Sequence, residues 1–200
     1  MQPDGMDHLA WDKQGGLLPA IVQDADTLQV LMLGYMDRAA LRATVDDGLV
    51  TFHSRSRQRQ WRKGERSGNV LVLVDVQADC DADALLVRAR PAGPTCHLGT
   101  DSCFPGAGAD PLAALDRLLA TRERERPDGR YTTGLFDAGV RAIAQKVGEE
   151  GVETALAAVA QDDDALLGEA ADLVFHLLVL LRARGLSLDG VRGVLEQRRR

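Results

Sequence analysis

The sequence predicts two folds in one chain: a mostly β, α+β unit over residues 1–105 and an all-α helical bundle over residues 112–200. Three observations predict it. Short apolar runs of β-forming residues, separated by turn signals, fill the first half. A Pro/Gly/Ala stretch from Phe104 to Pro111 favours neither regular structure, and residues 106–111 within it read as a linker. Beyond the stretch, leucines recur at helical spacing.

The β-type runs are Val30–Leu33, Leu49–Phe52, Val70–Val74 and Leu85–Val87. One helix interrupts them, with Asp37 at its N-cap, Ala39, Ala40 and Leu41 inside it and Gly48 just beyond its end. After the linker, Leu112, Leu115, Leu118 and Leu119 mark a first bundle helix. A second is expected over Thr133–Ala160 and a third over Ala165–Arg184, stopped by Gly185; a fourth starts at Ser187 and runs into the terminal arginines.

The chain has 200 residues, 27% of them charged and 45% hydrophobic, with a net charge of −6. That is the composition of a globular protein, and the negative balance argues against a general nucleic-acid binder, which needs a basic field. Met1 to Gly15 has no apolar core of the kind a signal peptide carries, so a cytoplasmic location is expected. The apolar run Leu173–Leu181 is far too short to span a membrane. Three cysteines in a reducing compartment stay as thiols, free for metal or catalysis.

Asp79, Asp81 and Asp83 alternate with Cys80 and Ala82, and in an extended chain residues two apart share a side. Three hard carboxylates on one side suit Mg²⁺ or Ca²⁺, and the thiolate of Cys80 on the other suits zinc. A solvated acidic turn is the alternative. Cys96 and Cys103 sit in one loop that can fold both toward a point, where three thiolates would leave a tetrahedral zinc one position for water and lower that water's pKa to about 7. A closed site that adds His97 as fourth ligand, or three unrelated thiols, fits the spacing as well. The run Ser54–Gly68 interleaves Arg55, Arg57, Arg59 and Lys63 with Trp61 and Ser67; it suits phosphate oxygens and a stacked base, although a charged hairpin in water has the same pattern.

Together, Ser54-Arg55-Ser56-Arg57-Gln58, Trp61-Arg62-Lys63-Gly64-Glu65, Asp79-Cys80-Asp81, Gly93-Pro94-Thr95-Cys96-His97 and Ser102-Cys103-Phe104 resemble phosphoribosyl-AMP cyclohydrolase. The resemblance implies Mg²⁺ on Asp79, Asp81 and Asp83, and Zn²⁺ on Cys80, Cys96 and Cys103, with cysteines of two subunits meeting in a homodimer. It also implies hydrolytic opening of the adenine ring at N1–C6. Because an imidazole titrates near the working pH and His97 lies beside Cys96, His97 is expected to help the proton transfers. His53 stands where an aromatic residue is commoner in that family, and Arg66 where Thr is usual.

In the helical half, Glu149, Glu150 and Glu153 cover about a quarter to a third of a helix circumference. Glu169, Asp172 and His176 follow at i, i+3 and i+7 on the next helix. Facing carboxylates in a bundle repel unless a proton or a cation compensates them, which suits Mg²⁺; an exposed acidic face on each helix is the alternative. Ile143–Ala158, Glu169–Leu173, His176–Leu181 and Tyr131-Thr132 resemble phosphoribosyl-ATP pyrophosphohydrolase. That resemblance implies Mg²⁺-dependent hydrolysis between the α- and β-phosphates of phosphoribosyl-ATP, with the five carboxylates as metal ligands, the three glutamates also as candidates for the base, and Arg141 and Lys146 for the leaving pyrophosphate. The expected partners are phosphoribosyl nucleotides, with no nucleic acid and no membrane. Two rival readings are a hydrolase of other nucleoside triphosphates in the helical half, and a zinc-stabilised interaction module.

Overall fold

The computed structural model describes residues 8–199. It divides into two compact units, Met1–Asp110 and Pro111–Arg200, the first sheet-rich and the second helical. No helix among the described residues is long and apolar enough to cross a membrane.

The first unit is built on a four-stranded sheet of order β2-β1-β6-β5. β1 (Leu18–Asp24) pairs antiparallel with β2 (Val30–Met36) and parallel with β6 (Leu85–Pro91), which pairs antiparallel with β5 (Leu71–Ala78). Every second residue of β1 from Leu18 to Asp24 is buried, so one sheet face carries the core. α1 (Arg38–Asp47) packs there through Ala40 and Leu41. Asp37 caps it, its carboxylate accepting from the Ala40 N–H at 2.7 Å, and Gly48 follows at φ 68.

β3 (Thr51–Ser54) and β4 (Arg59–Arg62) form a separate two-stranded hairpin. The basic run thus forms part of a hairpin, the alternative its pattern allowed, fixed by Phe52 opposite Trp61, whose rings stack at 5.5 Å. Gly34 on β2 lies directly under Phe52, where an added Cβ would come within 2.3 Å of the ring. The segment expected as a linker is tied to the first unit: the Gln29 side chain donates to the Ala107 carbonyl at 2.7 Å, and the Asp110 N–H to the Thr27 carbonyl at 2.9 Å.

The second unit contains α2 (Pro111–Glu125), α3 (Tyr131–Ala160), α4 (Asp163–Ala183) and α5 (Leu188–Arg198). α2 begins on a proline, whose missing N–H is not needed in a first turn. α3 starts before the expected Thr133 and is two helical pieces joined at Gly139, whose φ of 82° and ψ of 172° no helix contains. α4 also starts earlier than the expected Ala165, because the Asp162 carboxylate caps it by accepting from the Ala165 N–H. Ser187 does precede α5, but its side chain makes no capping bond.

Leu119, Leu135, Phe136, Ile143, Leu178 and Val179 form the core of the bundle. Beside it, buried Asp116 of α2 accepts from Arg182 of α4 and from the Leu188 N–H at the start of α5, so one carboxylate ties three helices. Removing one member of a buried, hydrogen-bonded pair strands the other. Asp116→Ala should lower the stability of the helical unit by about 3 kcal/mol, read from the urea transition of the helical circular dichroism signal. A change below about 0.5 kcal/mol would show that the pair is not structural.

Candidate functional site

Two regions gather chemistry, one in each unit. In the sheet-rich unit, the β3–β4 hairpin and the loop after β6 enclose a cleft of about 740 Å³. Arg57, Arg59, Trp61, Lys63, Ser67, Cys96, His97 and Cys103 line it; Arg55 does not, because its guanidinium lies 3.8 Å over the Tyr35 ring. Arg59 is held by Glu65 at 2.9 Å, and Trp61 has Phe52 on one side.

The loop is positioned by its own backbone. The Cys96 N–H donates to the Thr100 carbonyl, the Cys103 N–H to the Leu31 carbonyl at 2.8 Å, and the Ser102 hydroxyl to the Val30 carbonyl at 2.7 Å. Cys96 and Cys103 thereby meet. The N–H of Leu98 lowers the Cys96 pKa, whereas burial raises that of Cys103, so Cys96 is the more acidic member of the pair. His97 Nδ1 lies 3.8 Å from the Cys96 sulfur. Lys63 is buried beside them, and burial lowers its pKa against the opposing pull of the two thiols. Its ammonium donates to the Asn69 carbonyl at 3.3 Å, an approach that Gly64 permits: a Cβ there would meet the Asn69 backbone at 2.5 Å, and φ is 84°. The Thr95 hydroxyl, buried in the cleft wall, has no hydrogen-bond partner among the described residues, and the residue pattern gave no reason to single it out.

Asp79, Asp81 and Asp83 come together, each offering an oxygen within 4.8 Å of the others. Of the two readings of this segment, an extended ribbon and an acidic turn, the turn is the one found, between β5 and β6. Ala82 sits there at φ 61, and Asp79 accepts from the N–H groups of Asp83 and Ala84 at 3.0 and 3.1 Å. The Lys13 ammonium touches Asp81 at 2.7 Å and Asp83 at 3.4 Å, supplying a cation to the cluster. Its hydrogen bond lowers the Asp81 pKa. Cys80 is exposed on the same turn, and the three thiols do not form one group within this chain, among the described residues.

In the helical unit, Glu150 of α3 meets Glu169 and Asp172 of α4, with ligand oxygens within 4.8 Å of one another. Three of the five carboxylates expected as ligands thus group. Glu149 pairs with Lys146 at 2.7 Å and with Gln145 at 2.8 Å, while Glu153 is exposed and close enough to Glu150 for its charge to act there. Arg141 is exposed on α3. The Glu150 side chain is only 10% exposed; burial raises its pKa, His176 opposes that, and Glu153 and Asp172 add to it.

His176 is buried against the cluster. Its Nδ1 lies 2.9 Å from the Asp172 carbonyl and 3.4 Å from Glu150, and its Nε2 lies 2.9 Å from the Tyr131 hydroxyl. Spacing placed His176 on the acidic stripe, but neither it nor Tyr131 stood out as a site residue.

Residues 32–105 match the family model described as phosphoribosyl-AMP cyclohydrolase, and residues 112–199 the one described as phosphoribosyl-ATP pyrophosphohydrolase. The chain is similar to curated proteins named histidine biosynthesis bifunctional protein HisIE. That of Xanthomonas axonopodis pv. citri is 66% identical over 98% of this chain and 95% of its own length. That of Xylella fastidiosa strain Temecula1 is 69% identical over 96% and 93%, and that of Shewanella oneidensis 54% identical over 92% and 88%.

The raised pKa of Glu150 makes a stability prediction for the metal-free protein. A carboxyl raised on folding favours the native state fully below its unfolded value, about 4.3, and that contribution is lost as pH rises through the raised native value. Glu150→Gln should therefore match the wild type in thermal midpoint near pH 4, exceed it by a margin that grows as pH rises from there through the raised native value, and keep a constant margin above that value. A gap that never grew, or that shrank with rising pH, would contradict the assignment.

Proposed function

We propose a residue-level division of labour for this chain, which belongs to the bifunctional histidine biosynthesis family that joins phosphoribosyl-AMP cyclohydrolase to phosphoribosyl-ATP pyrophosphohydrolase. The chain is a hydrolase of two consecutive steps: phosphoribosyl-ATP is cut to phosphoribosyl-AMP and pyrophosphate, and the adenine ring of phosphoribosyl-AMP is then opened at N1–C6.

For the first step, the observation that carries the reading is the convergence of Glu150, Glu169 and Asp172 from two helices. Three hard oxygen donors with one carboxylate buried fit Mg²⁺, which when bound would neutralise polyphosphate charge. Glu153, three residues beyond Glu150 on the same helix, takes the proton from the water that attacks the α-phosphorus. The bond from that phosphorus to the oxygen bridging to the β-phosphate breaks, and pyrophosphate leaves with the electron pair. Lys146 exchanges Glu149 for the departing pyrophosphate, assisted by Arg141. Glu149 then serves to hold Lys146 and is not a ligand.

For the second step, the acidic Cys96 and its neighbour Cys103 fit a soft cation, but two thiols are too few for a catalytic site. Cys80 of a second copy would complete the set for Zn²⁺, which when bound would lower the pKa of a water for attack; this requires a homodimer and thiols kept reduced, as in the cytosol. Asp79, Asp81 and Asp83 would hold Mg²⁺ where Lys13 now stands. Arg57, Arg59, Lys63 and Ser67 bind the phosphates, and Trp61 stacks on the base with the side Phe52 leaves free. His97 accepts the proton of the water adding to C6 and delivers it to N1 as the N1–C6 bond breaks.

The two sites act independently. Cys96→Ser should abolish ring opening and lose zinc on elemental analysis, with pyrophosphate release unchanged. Glu150→Gln should do the reverse, and Glu153→Gln should lower kcat for pyrophosphate release on the order of 10²-fold with bound metal unchanged. Equal loss of both activities in either of the first two variants would contradict the division.

A further inference from the structure

We propose that the turn between β3 and β4 is a phosphate-monoester subsite of the sheet-rich unit's cleft, in which the Ser54 and Ser56 hydroxyls join the Arg57 guanidinium in donating to one of the two phosphates of phosphoribosyl-AMP. The inference rests on the assignment of this cleft to ring opening and adds two residues to it.

Ser54 ends β3 and Arg59 begins β4, so residues 55–58 make the whole turn. Its side chains leave in two directions. The Arg55 guanidinium lies over the Tyr35 ring, outside the cleft, whereas Ser54, Ser56 and Arg57 line the cleft. Short-range bonds hold that arrangement. The Arg57 N–H donates to the Ser54 Oγ at 3.3 Å, and the side-chain amide of Gln58, a residue at φ 49, donates to the Arg55 carbonyl. A turn already ordered by its own bonds loses less conformational freedom when a ligand binds than a loose one does.

The donors left over say what the turn meets. The Ser54 and Ser56 Oγ atoms are 3.5 Å apart, and that contact uses the hydrogen of one hydroxyl and not of both. The other hydroxyl hydrogen has no acceptor among the described residues. The remaining cations of the cleft are engaged: Arg59 pairs with Glu65, Arg66 acts on the same carboxylate, and Lys63 is buried beside the thiols. Arg57 has no acidic partner among the described residues, and a guanidinium can only donate. Hydroxyl and guanidinium hydrogens from three side chains suit a ligand that only accepts and is negatively charged. A phosphate monoester is such a ligand, with close to two negative charges at neutral pH and several oxygens free to accept. The purine carries no such charge, and its place is against Trp61.

The test uses the full-length enzyme with Zn²⁺ and Mg²⁺ and phosphoribosyl-AMP as substrate. The double substitution Ser54→Ala, Ser56→Ala should raise KM about tenfold with kcat within about twofold, the mark of uniform binding lost. Ser56→Ala alone leaves the bond from the Arg57 N–H to Ser54 in place and should raise KM about threefold, which keeps the test open if the double variant does not fold. Ser54→Thr retains a hydroxyl and should stay near the wild-type KM. Arg57→Lys keeps the charge but loses the fork, and should fall between the wild type and Arg57→Gln. AMP and adenosine as competing ligands distinguish the two phosphates. Weaker inhibition of the double variant by AMP assigns the subsite to the AMP phosphate; unchanged inhibition by AMP with a raised KM assigns it to the phosphate on the other ribose. Inhibition by adenosine, which has no phosphate, should not change in either case. An unchanged KM in both serine variants, a fall in kcat at constant KM, or weaker inhibition by adenosine would overturn the proposal. If Cys96→Ser keeps full ring-opening activity, the site assignment itself fails; if it is inactive while the serine variants behave as wild type, only the subsite fails.

Discussion

Like charges drawn together must be compensated, and this constraint shapes both functional regions. Asp79, Asp81 and Asp83 share one turn, and the chain sends the Lys13 ammonium to meet them. Glu150, Glu169 and Asp172 face one another across α3 and α4, and there the compensation is a raised Glu150 pKa together with His176. A protein that only needed stability would separate these carboxylates. Their clustering, with the charge balanced by the chain's own groups, is what supports the proposal of a divalent cation in each region.

The same constraint links the fold to the division of chemistry. Oxygen donors are gathered by a hairpin turn in one unit and by facing helices in the other, whereas the Cys96 and Cys103 thiols sit in the loop after β6, anchored by Ser102 to β2. The sheet-rich unit thus offers soft and hard ligands for ring opening, and the helical unit offers hard ligands alone, as phosphoryl transfer requires. The side chains that each region gathers belong to one unit, so one chain can carry both hydrolytic sites.

Much of this was legible in the residue pattern because it is set locally. Asp37 and Gly48 bound α1 through short-range capping chemistry, and the helical leucines announce the bundle. Other features depend on distant partners. β1 is masked by Pro19, which is tolerated because pairing with β6 begins only at Ala20. In β4 the pattern left a binding loop and a charged hairpin open, and the pairing of Trp61 against Phe52 decides for the hairpin. The turn at Asp79 hides behind an alternating pattern that an extended strand would share, and the break at Gly139 sits in a run of good helix formers. Lys13, Tyr131 and His176 reach their partners across 68, 45 and 26 residues of sequence, respectively, to Asp81, to His176 and to Glu150, separations that spacing rules do not address.

The division of chemistry proposed for the two units requires each acidic cluster to hold its own divalent cation. Titrating Mn²⁺ into metal-free protein and counting bound ions by electron paramagnetic resonance tests it most directly. Two classes of site are expected, one removed by Asp81→Asn and the other by Glu169→Gln, each variant leaving the other class intact. Binding that does not saturate, or a stoichiometry that neither substitution changes, would contradict it.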